Sequence, residues 1–346
     1  MRKPIKRVRV GELTLGDGRI YIQSMTNTDT KDVEATVSQI RELVAAGCEI
    51  VRVAAYDVDA ARAIKYIKEK VSVPIVADVH YDPKVAIQAI KAGADKLRIN
   101  PGNFPERALE EVVFAAKDRG IAIRVGANSG SLNKEFVGRY PERYMALAES
   151  ALEHVSRLES FGFEDIVVSV KSSDVIETVR ANRYVRERVD YPLHIGLTEA
   201  GYGVQAIIKS SVAIGALLLE GIGETIRVSL SSEPLKEVRV AKWLLGSLNL
   251  RNVPDLVACP TCARAEIDVV KIAEEIASVL DTTEKPVKIA VMGCVVNGIG
   301  EGADADIGIA GTKTGAVLMK KGRVISQIPR EKIIETLLKE IESWEV

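Results

Sequence analysis

The chain has almost no net charge, few aromatic residues and no long apolar run, and each scarcity removes a class of function. Its 346 residues carry 47 Lys and Arg against 48 Asp and Glu, a net charge of -1. Such balance lacks the basic excess of a general nucleic-acid binder or membrane-surface binder. Aromatic residues make up only 5%, too few for a base-stacking platform. No apolar run is long enough to span a bilayer, and the basic start, Arg2-Lys-Pro-Ile-Lys-Arg7, leads into no apolar signal core. A cytoplasmic protein is expected, in a compartment where thiols stay reduced. Hydrophobic residues reach 47%, enough for a sizeable core, and the length suits a large domain plus a smaller one.

Cysteine is also scarce. Of 4 cysteines, three stand in two short stretches: Cys259-Pro-Thr-Cys262 and Met292-Gly-Cys294-Val-Val-Asn-Gly-Ile-Gly-Glu301. Two thiols two residues apart grip one metal centre from one turn of backbone, and the third comes from a separate glycine-rich loop. Thiolates at this spacing bind zinc or an iron–sulfur cluster. A structural zinc site wants a closed shell with a second close Cys or His pair. Here Cys294 stands alone and no His follows His194. Glu301 is the nearest candidate for a fourth ligand. An oxygen among three thiolates leaves one corner exchangeable, as a catalytic cluster requires. Spacing therefore favours a four-iron cluster, with zinc next and a disulfide last. Cys48, between a helix and a strand, reads as a buried small hydrophobe.

Before the cysteines the chain is periodic. Val8 to Leu15 alternates and Asp17-Gly18 is a turn signal, which predicts a small hairpin. Strand candidates then recur about every 25 to 35 residues, the length of a βα unit: 20–25, 49–53, 74–78, 96–100, 121–125, 165–170, 193–197 and 225–229. Amphipathic helices fill the gaps, from 32–46 to 234–245. The pattern predicts an α/β chain opening with a (β/α)8 TIM barrel. The competing doubly wound sheet wants a glycine fingerprint after its first strand, and Gln23-Ser-Met-Thr26 is not one. Residues 249–254 read as a linker. The expected domains are 1–248, a substrate-binding barrel, and 249–346, a smaller α/β cluster domain.

Barrel enzymes place their chemistry at the C-terminal strand ends. There the predicted strands carry Arg52, Asp78 with His80, Arg98 with Asn100, Arg124 with Asn128, Lys171, His194, Thr198 with Glu199, and Arg227 with Ser229. One such Arg usually makes a structural salt bridge. Five cations on one rim, Arg52, Arg98, Arg124, Lys171 and Arg227, ask for an anion with several charges, such as a diphosphate. Asn100, Asn128 and Ser229 suit as hydrogen-bond partners. Glu199 among cations is either a charge-balancing residue or an acid–base group. His154, mid-helix beside Glu153 and Arg157, reads as a solvated surface residue.

These motifs resemble the 4-hydroxy-3-methylbut-2-enyl diphosphate synthases, flavodoxin- or ferredoxin-dependent enzymes of the methylerythritol phosphate route to isoprenoids. The resemblance rests on Cys259-Pro-Thr-Cys262, on Met292-Gly-Cys-Val-Val-Asn-Gly298, and on Gln23-Ser-Met-Thr-Asn-Thr28, Leu97-Arg-Ile-Asn-Pro-Gly-Asn103, Arg124-Val-Gly-Ala-Asn128, Ser169-Val-Lys171, Leu197-Thr-Glu-Ala200 and Arg227-Val-Ser229. It covers nearly the whole chain. It departs at Ala263, where the family usually has Gly, and at Ile299, where it usually has Pro. It implies an oxidoreductase with a [4Fe-4S] cluster on Cys259, Cys262, Cys294 and Glu301. It implies a cyclic diphosphate substrate held by Arg52, Asp78, His80, Arg98, Asn100, Arg124, Asn128, Lys171, Thr198, Arg227, Ser229 and Asn297, with Glu199 as the catalytic acid–base group. It also implies ferredoxin or flavodoxin as electron donor and a head-to-tail homodimer. The chain resembles the pterin-binding barrels as well. Two other classes stay open from the residues alone: a pterin-type transferase with a structural zinc appendage, and a non-enzymatic iron–sulfur sensor.

Overall fold

A computed structural model describes residues 4–132, 134–283 and 285–344. Its first unit runs to Leu244 and its second begins at Leu245. In the first, eight parallel strands alternate with eight main helices: β1 (Tyr21–Met25), α1 (Val33–Ala45), β2 (Ile50–Ala54), α2 (Val58–Lys68), β3 (Ile75–Asp78), α3 (Pro83–Lys91), β4 (Lys96–Arg98), α4 (Glu106–Arg119), β5 (Ala122–Asn128), α5 (Arg143–Glu159), β6 (Ile166–Lys171), α6 (Val175–Arg186), β7 (His194–Ile195), α7 (Gly203–Leu219), β8 (Thr225–Ile226) and α8 (Pro234–Ser247). A short extra helix, Lys134–Val137, precedes α5. The sheet runs β6-β5-β4-β3-β2-β1-β8-β7, and a parallel bridge from Val168 to Leu193 joins its two ends into a barrel.

The helices start where the sequence supplies a cap. The carboxylates of Asp32, Asp57, Asp82 and Asp174 accept from the first-turn amides of Ala35, Ala60, Lys84 and Glu177, satisfying donors that a helix start leaves unpaired. Helix α4 stops at Gly120, whose φ of 63° suits glycine. A β-hairpin, Val8–Val10 with Leu13–Leu15, lies ahead of the barrel. Its turn is Gly11-Glu12, and Asp17-Gly18 follows the second strand. Gly11 takes the left-handed conformation (φ 59°) that a tight turn needs. Val8, Val10 and Leu15 pack with Ile50, Val76, Ala122 and Val167, from the N-terminal portions of β2, β3, β5 and β6. An apolar plug thus fills that end of the barrel and leaves the opposite rim for polar chemistry.

Within the second unit, five strands lie in sequence order: β9 (Asp255–Ala258), β10 (Lys288–Met292), β11 (Ile307–Thr312), β12 (Gly315–Lys320) and β13 (Arg323–Pro329). The first three are parallel and the last two antiparallel. Helix α9 (Val269–Leu280) packs on β9, β10 and the closing helix α11 (Ile333–Glu342), and α10 (Val295–Ala303) packs on β10 and β11. The expected glycine-rich loop after Cys294 is this helix α10. Its glycines serve close packing: a Cβ on Gly298 would come within 2.5 Å of the Ala310 Cβ, and one on Gly302 within 2.3 Å of the Met319 methyl. No helix among the described residues is long and apolar enough to cross a membrane.

Candidate active site

The rim cations meet. Arg52, Arg98, Arg124, Lys171 and Arg227 line one small cleft together with Asn128, Ser169, Thr198 and Ser229. Strand alternation puts them there, because residues two apart share a face, and parallel register sets Arg98 beside Arg124 and Asn128 beside Lys171. Close approach is possible because two wall positions have no side chain. A Cβ on Gly126 would strike the Ser169 carbonyl, and one on Gly196 would strike the Arg227 carbonyl and crowd the Lys171 ammonium.

Two carboxylates hold this rim. Asp78 accepts from Arg52 Nη2 at 3.0 Å and from Arg98 Nη1 at 3.2 Å, with His80 Nε2 at 3.3 Å. Burial alone would raise the Asp78 pKa, but Arg52, His80 and Arg98 outweigh it and keep the carboxylate ionised far below its ordinary range. Glu237, at the start of α8, faces Arg227 at 3.4 Å and Ser24 at 3.3 Å, and accepts the Leu230 amide at 2.9 Å. Sequence reading missed Glu237, because nothing local marks one helical Glu as pointing inward.

It also passed over Lys96. This residue is fully buried, and its ammonium has one described hydrogen-bond partner, the Gln23 side-chain oxygen at 3.5 Å. Burial first, then Arg124 and Arg52, push its pKa down to about 7. The alternation Lys96-x-Arg98 was the available signal. Lys171 and His194 are buried beside each other, with Nζ 3.2 Å from Nε2, and His194 Nδ1 lies 2.8 Å from Thr225 Oγ1. Burial and the surrounding arginines drive both well below their ordinary pKa values. Four arginines, Arg52, Arg98, Arg124 and Arg227, with the basic side chains of Lys171 and, beneath them, Lys96, thus face two carboxylates. Arg124 Nη1, Arg52 Nε and Gln23 Nε2 are buried without a hydrogen-bond partner among the described residues. The cleft is built for an anion.

The other sequence-derived residues spread around it. Asn100 caps the turn Pro101–Asn103 through the Gly102 amide and lines a neighbouring cavity that also touches Asn128. His154 lines that cavity too, against Gly102. This corrects the solvated reading: burial, then Arg157, lowers its pKa to about 4. Glu199 is exposed just beyond β7 with a φ of 52°, a conformation rare outside glycine that is stored most often at functional sites. The Asn297 side chain lies outside the described ones.

All three cysteines of the motif fall in the second unit, but among the described residues no three His, Cys, Asp or Glu side chains stand close enough together to hold a metal. Cys259 directly follows β9 and Cys294 caps α10 just after the adjacent parallel strand β10. The Cys259 amide donates to the Val291 carbonyl at 3.1 Å, and the Gly293 amide donates to Cys259 Sγ at 3.1 Å. Cys262 is exposed, and its carbonyl accepts from Ala265. Two of the sulfurs thus stand at the ends of adjacent parallel strands, and three thiols are the donor chemistry of a zinc or iron–sulfur centre. Glu301 is exposed on α10, seven residues from Cys294, about 10 Å along a helix axis. Cys48 is buried, donates to the Ile50 carbonyl at 3.2 Å, and has its thiol pKa pushed up to about 12 by burial.

Comparison with known proteins bears on both units. Residues 5–242 match the GcpE TIM-barrel domain and residues 255–343 the GcpE protein C-terminal domain. The chain is 54% identical over 333 residues to 4-hydroxy-3-methylbut-2-en-1-yl diphosphate synthase (flavodoxin) of Thermotoga maritima, covering 96% of each chain. It is 49% identical over 346 residues to the protein of that name from Clostridium perfringens, covering 99% of each. Among solved structures, the dihydropteroate synthase of Stenotrophomonas maltophilia aligns at TM-score 0.52 and 14% identity, over 70% of this chain and 98% of that one. A type I 3-dehydroquinate dehydratase of Clostridium difficile aligns at TM-score 0.52 and 14% identity, over 71% and 97%. These two likenesses speak to the barrel fold alone. With both of its units matched and half of its residues shared with relatives of the same length, the chain belongs to the GcpE family.

Proposed function

We infer that the chain is a 4-hydroxy-3-methylbut-2-enyl diphosphate synthase, an oxidoreductase of isoprenoid biosynthesis. It opens the ring of 2-C-methyl-D-erythritol 2,4-cyclodiphosphate reductively and removes an oxygen as water. The observation that carries this reading beyond the relatives' shared name is the cleft itself, five basic side chains against two carboxylates at one barrel end.

In this reading Arg52, Arg98, Arg124, Lys171 and Arg227 hold the phosphates, with Asn128, Thr198 and Ser229 completing the cradle and Asn100 and His80 nearby. Asp78 fixes two of the arginines and so positions rather than binds. Glu199 reaches a substrate hydroxyl or serves as the proton donor for the leaving oxygen. Cys259, Cys262 and Cys294, with Glu301, would hold a [4Fe-4S] cluster, which when bound supplies single electrons to the carbon–oxygen bond. The electrons come from flavodoxin, the carrier in the relatives' names, or from a ferredoxin.

The working form is a homodimer. Barrel helices run antiparallel to their strands, so α8 ends at the face away from the active rim. A head-to-tail pair would let each cysteine-bearing unit serve its partner's barrel. The exposed apolar residues Val204, Ile208 and Val212 at helical spacing on α7 offer a face for the second copy. The test is anaerobic purification with metal and sulfide analysis, followed by turnover of the cyclic diphosphate with reduced flavodoxin. Stoichiometric zinc without sulfide, or no turnover by an iron-loaded protein, would sink the reading.

A further inference from the structure

The barrel has more buried basic groups than an anion's contacts require. Lys96 lies two residues before Arg98 on β4, one layer deeper in the barrel, and does not line the cleft. His194 does not line it either, and touches Lys171 and Thr225. Both side chains are fully shielded from solvent, as Lys171 nearly is. The charged groups that face them are known. Lys96 meets Arg124 from β5 and Arg52 from β2. Lys171 meets Arg124, Arg227, Arg52 and, with the opposite sign, Glu237 from α8. His194 meets Lys171, Arg124, Lys96 and Arg52. A cation surrounded by cations in a low-dielectric interior is strongly disfavoured, and the arginines keep their protons at any ordinary pH. Without an anion nearby, the buried groups that can give up positive charge are the two lysines and His194; His80, against Asp78 and Arg98, is exposed at the rim.

We propose that Lys96, Lys171 and His194 form a proton bank beneath the anion cleft, which takes up protons from solvent when a multiply charged anion docks above it. Lys171 touches the anion. His194 holds Lys171 in place through the 3.2 Å contact, and Lys96 acts through the field of Arg124 and Arg52. The anion supplies the negative charge that lets these groups ionise. Binding and protonation then strengthen each other, and affinity rises as pH falls.

The substrate half of this proposal rests on the function proposed above, and the experiment separates the two. Each phosphorus of the cyclic diphosphate carries two bridging oxygens and one strongly acidic oxygen, so the ligand does not itself titrate near neutrality. Sulfate is a second dianion with no proton to exchange at neutral pH. Titrating each into the full chain, purified without oxygen, in Tris and in HEPES reveals the protons moved as a buffer-dependent heat. Uptake of about one proton per anion is expected, with Kd falling about tenfold per unit drop in pH across the window where the bank titrates. Lys96→Met and His194→Gln should each reduce the uptake, which a merely structural role would not do. Cyclic diphosphate binding with the same heat in both buffers overturns the proton bank and spares the substrate reading. Sulfate binding with uptake, but no binding of the cyclic diphosphate, overturns the substrate reading and spares the bank. No binding of either overturns both.

Discussion

Asp78 carries more of the cleft than any other single residue. It is itself buried and pairs two partly buried arginines at once. Asp78→Asn keeps the shape and removes the charge, so it should cost about 3–5 kcal/mol in urea unfolding at pH 7, the typical cost of breaking a buried pair. The pH dependence follows from the depressed carboxyl pKa. Its stabilisation is complete above the unfolded value of about 3.9 and is lost as pH falls from there toward the lower folded value. The gap between the wild-type chain and Asp78→Asn should therefore shrink below about pH 4, and a gap that stayed constant into acid would show that the carboxyl does not titrate with folding. The phosphate-facing cations behave differently. Arg124→Ala or Lys171→Ala should weaken cyclic diphosphate binding by about 2 kcal/mol, the loss expected for one charge-assisted hydrogen bond. Unchanged calorimetric affinity in both variants would return them to a structural role.

At the scale of elements, the second unit depends on α10 lying flat on its sheet. Gly298 and Gly302 are poor residues for a helix interior, at about 1 kcal/mol each relative to alanine, yet any Cβ there meets Ala310 or Met319. Gly298→Ala should then destabilise this unit by about 1–3 kcal/mol through overpacking. Because α10 begins at Cys294, the variant should also lose iron faster to a chelator. Iron release at the wild-type rate would uncouple the helix seat from the metal centre. The cysteines make a sharper contrast. Cys259→Ser, Cys262→Ser and Cys294→Ser should each abolish iron binding, while Cys48→Ser should keep it, since Cys48 sits in the barrel unit with a protonated thiol. Iron loss in Cys48→Ser to the same extent would break the ligand assignment.

For the whole molecule, the assembly itself is testable. At cyclic diphosphate concentrations too low to occupy the Arg124→Ala cleft, mixing Cys259→Ser with Arg124→Ala under conditions of subunit exchange should restore activity, because one mixed dimer then contains one intact pairing of barrel and cysteine unit. Proven exchange with no recovered activity would place the site within one chain. Ile208→Glu puts a charge on the exposed apolar stripe of α7, and the expected result is a monomer by light scattering that retains its iron. A dimer of unchanged affinity would move the interface elsewhere.

The alternation of short β-branched runs with amphipathic helices determined the barrel, because periods of two and of 3.6 are local properties that need no partner. The rim cations were legible for the same reason: residues two apart on consecutive parallel strands must share one interior, so Arg52, Arg98, Arg124, Lys171 and Arg227 had to converge once the strands closed. The cysteine spacing likewise pointed to the second unit as the end proposed to hold the metal centre. Tertiary structure alone decided the rest. The glycine run after Cys294 reads locally as a loop, and becomes helix because Ala310 and Met319 leave room only for hydrogen on its inner face. His154 reads as solvated from its helical neighbours, and is enclosed because the Pro101–Asn103 turn of another βα unit closes over it. Glu237 reads as one more surface carboxylate, and turns inward because Arg227 and Ser24 arrive from strands about 10 and 213 residues away. Burial depends on which distant segments meet, and no short window of sequence contains Ser24 together with Glu237, or the Pro101–Asn103 turn together with His154.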